Sequence, residues 1–451
     1  MDSKYDSKII VVGAGMAGLV ASVRAQQLGA EVVLIEKSAA TGGTMAMSGG
    51  SIWCPTSFEG LLELVPRCDQ ILGRILVRDF PNSVSWLATI GTKFTTTESN
   101  IKTVNRVVHQ LEPDSTSFAN HMKQIFIKNG GEVLFETSGH SLIQDPNGQV
   151  IGLKSLTPNG TVHTFGKAVI LATGGFQGNP ELLARYMGEW SDRLILRAGI
   201  HSTGDGLTMA KQIGAIPSRS MNHFYGHLMP APPAKIDPGD FVKFTHYHST
   251  ESVLLNLTGE RYVDESISDE VNAQATLRQP QALCYMIFDS NIHNRYGIRD
   301  ITNQIHFDIF EESKKIGAIT ASDHTLPGLI DQLNKTDLYG QGALSTLMSY
   351  QLAAEHSQTG SLRIPNKNDS NPLSTPPFMA VSLTPGITFT MGGLETDHYG
   401  RVISKSRRTI SGLYAVGADA GGIYSERYGG GLSLGLVFGK RSAEHAVSLK
   451  K

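Results

Sequence analysis

The chain has 451 residues, with 39 Lys and Arg against 41 Asp and Glu, and a formal net charge of -2 at pH 7. This length is enough for two domains with substantial cores. Because Lys and Arg are scattered and the charge is nearly balanced, neither nucleic acid nor an anionic membrane surface is expected as a partner. No apolar run approaches the roughly 20 residues of a membrane span, so none is expected.

The cysteines and the first residues indicate the compartment. Cys54, Cys68 and Cys284 are too few and too dispersed for a disulfide framework or a zinc site, so no metal is predicted. A charged octapeptide precedes the first predicted strand and does not resemble a secretory signal peptide. The expected localisation is therefore a reducing cytoplasm.

The first patterned stretch runs from Ile9 to Glu36 and reads IIVVGAGMAGLVASVRAQQLGAEVVLIE. It predicts a strand, a glycine turn, an amphipathic helix and a second strand that ends in an acid. Gly13, Gly15 and Gly18 form a G-x-G-x-x-G turn, which permits a tight bend, close approach of a pyrophosphate and helix-on-strand packing. The helix N-terminus suits an anion, and Glu36 can accept a hydrogen bond from a ribose hydroxyl. The stretch therefore predicts a dinucleotide site.

The next segments combine small-residue loops with regular elements. Small residues in Thr41–Thr44 and Ser48–Trp53 suit a loop that passes close to a large flat ligand. Phe58–Thr97 is predicted to be mostly helical, without an assigned function. Gly130 and Gly131 suit the left-handed end of a helix. The predicted helix is Ser117–Asn129, and the predicted strands, divided by two Pro-Asn-Gly turns, are Ser141–Gln144, Val150–Leu156 and Thr161–Phe165.

Later segments suggest a domain inserted into the first. Val169–Gly175 reads as a buried strand with a glycine turn, and a helix is predicted over Leu207–Ile213, where Asp205 could be an N-cap. Proline-rich loops follow Ser218, and residues 363–377 have a linker composition. The predicted division is a first domain of residues 1–217 and 374–451 with a substrate-capping domain of residues 218–373.

Several motifs, in this order, resemble the FAD-binding fumarate reductase and 3-ketosteroid dehydrogenase superfamily. The run from Ser48 through Trp53 to Pro55 is closest to the ketosteroid branch, although core packing would also explain Trp53. The other runs are Ala172–Gly175, Thr203–Gly206, Thr384–Gly386, Thr390–Gly393, Gly412–Ala418 and Gly429–Gly435. The resemblance implies an α/β fold: a Rossmann-like FAD-binding domain of the glutathione-reductase type with an inserted α+β cap domain.

The resemblance also implies FAD as the cofactor. It implies non-covalent binding, because neither His nor Cys precedes Gly42 and Gly43, where flavin-linked relatives place a His. Without a second G-x-G-x-x-G unit, electrons are expected to leave to oxygen, a quinone or another protein. The residues implied to surround the FAD are Gly13, Gly15, Met16, Ala17, Gly18, Glu36, Lys37, Gly42, Gly43, Thr44, Ser48, Gly49, Gly50, Ala172, Thr173, Gly174, Gly175, Thr203, Gly204, Asp205, Gly417, Asp419, Gly431, Leu432, Ser433 and Leu434.

One segment of the predicted cap domain suggests an acid or base. Leu255–Glu265 is similar to the family's Asn-x-x-Gly-x-Arg-Phe-x-Asn-Glu. Four residues after that Glu, fumarate reductases carry an acid Arg and ketosteroid dehydrogenases a catalytic Tyr, whereas this chain has Asp269. A buried carboxylate with a raised pKa could move a proton α to a carbonyl. The alternative is a solvated carboxylate at a helix start.

Other candidates follow from the same resemblance. Arg427 matches a carboxylate-binding Arg, or is a surface or ion-paired Arg. Tyr428 resembles the Tyr that, with a backbone amide, holds the substrate carbonyl of ketosteroid dehydrogenases. His227 falls near a substrate-binding His, and Tyr247 is a candidate by position that packing would explain equally well.

The expected function is a dehydrogenase or ene-reductase acting on a C–C bond beside a carbonyl, with a cyclic ketone or enone as substrate. The absence of the acid Arg, and Ile387 where the fumarate reductases have a His, make fumarate a poor fit. The alternatives are a flavin-dependent isomerase, a fumarate-reductase-like carboxylate reductase and a non-catalytic flavin-binding partner protein.

Overall fold

The computed structural model describes residues 8–301, 304–337, 340–366 and 372–449. Most of the N-terminal octapeptide, and residues 367–371 of the predicted linker, lie outside this description. The chain forms two compact units. The first consists of Met1–Tyr186, Ala198–Phe224 and Thr388–Lys451, and the second of Met187–Arg197 and Tyr225–Ile387. That residues 218–373 cap a substrate remains a prediction.

The strands are β1 Lys8–Val12, β2 Glu31–Ile35, β3 Ser51–Pro55, β4 Phe94–Ile101, β5 Val104–Leu111, β6 Glu132–Leu134, β7 Ser138–Gln144, β8 Val150–Thr157, β9 Gly160–Phe165, β10 Ala168–Leu171, β11 Ile195–Leu196, β12 Phe224–Pro230, β13 Val253–Asn256, β14 Cys284–Asp289, β15 Ile298–Ile301, β16 Gln304–Asp308, β17 Thr320–Asp323, β18 Phe378–Thr390, β19 Arg401–Ile403 and β20 Thr409–Ala415. The helices are α1 Met16–Gln27, α2 Phe58–Leu64, α3 Gln70–Thr89, α4 Ser115–Lys128, α5 Pro180–Met187, α6 Asp205–Gln212, α7 Asp269–Leu277, α8 Ser290–Ile292, α9 Ile309–Lys315, α10 Leu326–Leu333, α11 Ala343–Glu355 and α12 Gly431–Ser448. Across the described ranges, every helix is too short or too polar to cross a bilayer.

The first unit is built on a sheet in the order β19-β20-β10-β1-β2-β6. The strands from β20 to β6 are parallel, and only β19 runs antiparallel. The residues of β1 and β10 are almost all apolar and buried, as expected for a parallel sheet covered on both faces. This confirms the predicted βαβ unit and the predicted buried strand that starts near Val169.

The carboxyl ends of these parallel strands meet at one edge of the sheet, which is where ligands bind in open α/β folds. Gly13 follows β1, Glu36 follows β2, Ala172 follows β10, and Gly417 comes two residues after β20. Four separate stretches that the sequence linked to a cofactor are therefore gathered at this edge.

Glycines let α1 start directly against the sheet. Gly13 has a φ of +104°, and a Cβ there would collide with the carbonyl of Ala172. A Cβ on Gly18 would collide with the carbonyl oxygen of Gly13. At Gly439 a Cβ would meet the carbonyl oxygen of Ala17 at 2.6 Å, so α12 also packs closely on α1. The helix position thus depends on backbone-to-backbone contact.

The smaller elements confirm most of the predicted boundaries. The helix predicted over 117–129 is α4, which begins two residues earlier, and Gly130 follows it with a φ of +84°. The predicted meander is the antiparallel sheet β7-β8-β9. The interpretation of Asp205 as an N-cap is wrong: Gly204, in the left-handed conformation, is the N-cap, and Asp205 is the first residue of α6.

The second unit has a sheet in the order β11-β18-β14-β13, and β12 and β17 also pair with β18. Every residue of β13 and β14 is buried, so both strands lie in the core. A second antiparallel pair is β15-β16.

A buried ion pair stabilises the segment that follows β13. The carboxylate of Glu265 is fully buried, and its Oε1 accepts hydrogen bonds from Arg261 Nε at 2.9 Å and from the backbone N–H of Leu254 at 3.1 Å. Arg261 Nη2 donates to the other oxygen, and Nη1 donates to the carbonyl of Ile364 at 2.7 Å. The pair ties the segment after β13 to that strand and to residue 364.

We expect Glu265→Gln to lower the free energy of unfolding by about 3–5 kcal/mol, because it leaves Arg261 as a buried charge without its counterion. Urea unfolding measures this effect. The matched control is Glu260→Gln, since the Glu260 side chain is 58 % exposed, and a change within about 0.5 kcal/mol is expected there. Equal stability of the two variants would contradict the structural role of the ion pair.

Candidate functional site

Glu36 organises the loop around the start of α1. Its Oε2 accepts the N–H of Ala14 at 2.7 Å and its Oε1 accepts the N–H of Ser38 at 2.8 Å. The N–H of Gly42 donates to the carbonyl of Ala14 at 2.8 Å, so the second glycine loop is tied to the same turn. A carboxylate has further lone pairs for a ribose hydroxyl, but that role of Glu36 stays a prediction.

The space above the N-terminus of α1 fits the diphosphate of a dinucleotide. A Cβ built on Gly15 meets only the carbonyl oxygen of Gly42, at 3.8 Å, and one built on Gly43 meets only the Cα of Gly15, also at 3.8 Å. The helix start leaves backbone N–H groups without partners within the helix. The hydroxyl of Thr41 is buried and has no hydrogen-bond partner among the described residues. These features form an open cradle of polar groups suited to FAD, which would supply hydride transfer.

Asp419 joins three of the predicted cofactor stretches. It is 1 % exposed, and Thr173 donates to it from the backbone N–H and from Oγ1, the latter at 2.9 Å from Oδ2. The N–H of Gly206 donates to the same threonine hydroxyl at 3.0 Å. Burial raises the pKa of Asp419 to about 7. The carboxyl is thus poised between charged and neutral forms at the ligand edge of the sheet.

A second link connects Lys37 with the turn before α6. Lys37 Nζ lies 3.1 Å from Asp205 Oδ2 and donates to Thr203 Oγ1 at 2.9 Å. The threonine hydroxyl donates to Asp205 Oδ1 at 2.8 Å. Asp205 therefore serves as an ion-pair partner instead of a helix cap.

The remaining predicted cofactor residues also belong to the first unit. Gly43 and Thr44 begin a 3₁₀ turn, Gly43–Met47, and Gly431 to Leu434 form the first turn of α12. Which of these residues contact FAD stays a prediction.

Tyr428 and Gly431 lie next to each other, as the predicted oxyanion site requires. However, the N–H of Gly431 donates to the hydroxyl of Tyr428 at 2.7 Å, so the amide is directed at the phenol oxygen. The phenol ring packs edge-on against Trp53, with centroids 5.5 Å apart, and near Phe389 at 6.1 Å. Arg427, half-buried, directly precedes Tyr428.

In the second unit, the structure brings together three of the predicted catalytic residues. Asp269, His227 and Tyr247 lie in one group with Tyr225 and Glu270, and we call these five residues the His227 cluster. Because side chains alternate along a strand, Tyr225 and His227 point to the same face of β12. The carboxylates come from the first turn of α7, and Tyr247 begins a 3₁₀ turn, Tyr247–Glu251.

His227 is the centre of this cluster. Its Nδ1 is hydrogen-bonded to Asp269 Oδ2, and its Nε2 lies 3.0 Å from the hydroxyl of Tyr225. The rings of Tyr225 and Tyr247 contact the imidazole edge-to-face, with centroids at 4.9 and 5.1 Å. His227 is 3 % exposed, the Asp269 side chain 18 % and Tyr247 42 %. The imidazole is thus held by hydrogen bonds on both nitrogens and flanked by two phenol rings.

Burial controls the protonation of the cluster. It raises the pKa of Asp269 above the usual value, and it raises the pKa of Glu270 to about 8, with the adjacent Asp269 charge adding to the effect. Burial, followed by the charge of Arg197, holds the pKa of His227 well below its usual value. At neutral pH Glu270 therefore holds a proton, and the His227 imidazole is neutral. A neutral imidazole has one donor and one acceptor nitrogen, and both hydrogen bonds are satisfied if Nδ1–H donates to Asp269 and Nε2 accepts the Tyr225 hydroxyl.

The alternative interpretation of Asp269, a solvated carboxylate at a helix start, does not fit this geometry. Ser268 is the N-cap of α7, and the Asp269 side chain is largely buried against His227. Sequence reasoning missed Tyr225, Glu270 and Arg197. The Tyr-x-His spacing on a strand was a signal for the first, and the adjacent acids were a signal for the second. In the parts of the chain that are described, no group of three or more His, Cys, Asp or Glu is arranged to hold a metal ion.

We expect wild-type stability to fall as pH rises from about 4.5 to about 8, relative to Glu270→Gln. Burial raises the pKa of Glu270 to about 8 in the fold, from an ordinary value of 4.5. The folded state therefore binds more protons than the unfolded state across this interval, and the advantage disappears as pH rises. Urea unfolding of both proteins at several pH values measures the difference. If the free energies of unfolding of the wild type and Glu270→Gln change in parallel with pH, Glu270 is not held protonated in the fold.

We expect Gly15→Ala to fold normally and to lose at least about tenfold in FAD affinity, or 1.4 kcal/mol, since its methyl group would enter the diphosphate cradle. Gly18→Ala is the contrasting variant: its Cβ collides with Gly13, and a loss of about 3 kcal/mol in stability is expected. Urea unfolding and the FAD released by acid denaturation are the measurements. Unchanged FAD content in Gly15→Ala, or flavin that remains attached to the denatured chain, would contradict these expectations.

Comparisons with known proteins show which family the chain belongs to. The urocanate reductase of Eggerthella lenta is 25 % identical, covering 98 % of this chain and 75 % of the relative. A fumarate reductase (cytochrome) of Shewanella frigidimarina is also 25 % identical, covering 98 % of this chain and 77 % of the relative. The vinyl phenol reductase of Lactiplantibacillus plantarum is 28 % identical, covering 99 % and 97 %.

Solved structures share the fold. The 3-ketosteroid Δ1-dehydrogenase of Sterolibacterium denitrificans superposes with a TM-score of 0.79 at 19 % identity, covering 98 % of this chain and 100 % of the other. A flavocytochrome c3 fumarate reductase in an open conformation gives 0.72 at 22 % identity, covering 98 % and 78 %. The sequence model of the FAD binding domain matches residues 8–434. The chain therefore belongs to the FAD binding domain family and is an FAD-dependent oxidoreductase.

Proposed function

We propose that this oxidoreductase acts on a C–C bond next to the carbonyl of a cyclic, mainly apolar substrate. FAD held by the first unit would supply the hydride chemistry at the substrate β-carbon, and a protein group moves the α-proton. The observation that carries this proposal is the Asp269 carboxylate, buried against His227 at the position where relatives place an acid Arg or a catalytic Tyr.

The environment of Asp269 suits proton transfer. An ordinary carboxylate is too weak a base for a carbon acid, whereas burial raises the pKa of Asp269 and so increases its basicity. The hydrogen bond from His227 holds the carboxylate in one orientation. A positioned acid or base of this kind contributes roughly 10²–10⁴-fold in rate.

Tyr428 supports the carbonyl part of the proposal. Its hydroxyl accepts the N–H of Gly431, and a phenol hydroxyl can act as a donor as well as an acceptor. We assign the hydroxyl proton to the substrate carbonyl oxygen, where negative charge develops in the enolate. The surrounding rings of Trp53 and Phe389 suit an apolar substrate.

A carboxylate reductase is the second candidate, because fumarate and urocanate reductases are among the relatives and Arg427 could bind a carboxylate. Two features oppose it. The negative charge of Asp269 would repel an anionic substrate, and the buried apolar Ile387 stands where the fumarate branch has a His. We propose oxygen, a quinone or another protein as the electron acceptor, and the cytoplasm as the compartment.

The test is anaerobic flavin spectroscopy of the FAD-loaded protein. We expect 4-androstene-3,17-dione or 2-cyclohexen-1-one to change the flavin redox state, by bleaching the oxidised form or reoxidising the dithionite-reduced form. Fumarate and urocanate are included as carboxylate substrates that test the second candidate function. Reoxidation by these two alone would establish the carboxylate reductase instead, and turnover without a net change in flavin redox state would establish an isomerase. No response to any probe would leave the flavin-binding partner protein as the function.

Asp269→Asn keeps the size of the side chain and removes the charge. We expect it to slow the substrate-linked flavin step by about 10²–10⁴-fold without loss of FAD. In the wild type the oxidative step should accelerate as pH rises through the raised pKa of Asp269, since only the ionised form supports proton removal. Asp264→Asn, in the same segment, is the control. A wild-type rate in Asp269→Asn would remove this carboxylate from the chemistry.

A further inference from the structure

We infer that the hydroxyl of Tyr225 exchanges the α-proton with the substrate, and that His227 and Asp269 are positioning residues that relay and stabilise this proton. The inference rests on the proposed function and deepens it. It assigns proton transfer to a tyrosine that sequence reasoning did not select.

The hydrogen bonds form a continuous path. The Tyr225 hydroxyl lies 3.0 Å from His227 Nε2, and His227 Nδ1 is bonded to Asp269 Oδ2. Both ring residues come from β12, two positions apart, so the strand sets their spacing. The carboxylate comes from the first turn of α7. A phenol, an imidazole and a carboxylate are thus aligned through the two ring nitrogens.

Exposure and contacts favour the tyrosine as the end that meets the substrate. His227 is 3 % exposed and already hydrogen-bonded on both nitrogens. Asp269 interacts with His227 on one side and is hydrogen-bonded to Glu270 on the other. Tyr225 is half-buried, so part of its side chain is accessible to a ligand. A proton delivered to its hydroxyl can pass inward through His227.

The groups around His227 keep its imidazole neutral before the reaction. The ionisable groups that face it are Asp269, Glu270, Arg197, Tyr225 and Tyr247. Burial and the charge of Arg197 keep the pKa of His227 low, so Nε2 is unprotonated at rest and accepts the hydrogen bond of the Tyr225 hydroxyl. When the tyrosine proton moves to Nε2 during the reaction, the Asp269 carboxyl group on Nδ1 offsets the cost of the positive charge.

The proton balance in the oxidative direction is as follows. Bound FAD would take up the hydride that leaves the substrate β-carbon, and the α C–H bond breaks so that its electron pair forms the C=C bond. The α-proton passes to the Tyr225 oxygen as the Tyr225 proton passes to His227 Nε2. The new positive charge on His227 is balanced by Asp269, and the reductive direction reverses each transfer.

Tyr225→Phe tests the assignment in FAD-loaded protein, with 4-androstene-3,17-dione and 2-cyclohexen-1-one as probes. We expect a loss of about 10²–10⁴-fold in the flavin step, with FAD content unchanged. The double variant Tyr225→Phe/Asp269→Asn should be no slower than the slower of the two single variants, because the two residues act on one proton. If the fold losses in rate of the two single variants multiply in the double variant, the two residues have separate roles and the relay is overturned.

Two further tyrosine variants make the test specific. Tyr296→Phe, in the same unit, is the control for loss of a phenol hydroxyl, and we expect the wild-type rate. Tyr247→Phe is the rival: a large loss there with an intact rate in Tyr225→Phe would assign the proton to Tyr247. A normal rate in Tyr225→Phe with a large loss in Asp269→Asn would make Asp269 the direct base, which overturns this inference and leaves the proposed function standing.

A readout without substrate tests the relay itself. In protein labelled with ¹⁵N-histidine, NMR should show His227 as the neutral tautomer with the proton on Nδ1. In Tyr225→Phe the unprotonated Nε2 resonance should move downfield, because it loses a hydrogen-bond donor. A proton on Nε2, or an unchanged Nε2 resonance, would overturn the relay even if no ketone or enone changes the flavin and the proposed function fails.

Discussion

The first unit depends on backbone contact between α1 and the sheet. Gly18 meets the carbonyl of Gly13, and Gly13 in turn meets the carbonyl of Ala172, so no side chain fits between the helix start and strands β1 and β10. This contact sets the N–H groups of α1 at the carboxyl edge of the parallel strands. Glu36 and Gly42 then bind to the same turn, and the cradle for a dinucleotide follows from these contacts.

Buried carboxyl groups shape the electrostatics of both units, with different partners. In the first unit Asp419 is satisfied by backbone and hydroxyl donors from Thr173, which links two cofactor stretches. In the second unit Asp269 lies between Glu270 and His227, and burial raises the pKa of both carboxyl groups. We propose that the first arrangement organises the FAD site and that the second supplies a group that exchanges protons.

The relatives indicate how one fold accommodates different substrates. Proteins named for reduction of urocanate, fumarate and vinyl phenol resemble this chain over almost its whole length at 24–28 % identity. We propose that substrate choice in this chain depends on a few side chains, such as those at positions 269 and 387, where it has an acid and an aliphatic residue.

The sequence alone determined the βαβ unit, the buried strands, the glycine-rich cofactor edge and the family, because glycine spacing and apolar runs are local constraints on the backbone. It also selected Asp269, His227 and Tyr247 as separate candidates. Only the tertiary structure decided that these three lie together, that Ser268 caps α7, and that Tyr225 and Glu270 complete the cluster. These contacts join residues up to 42 positions apart, and their protonation depends on burial, which no local pattern encodes.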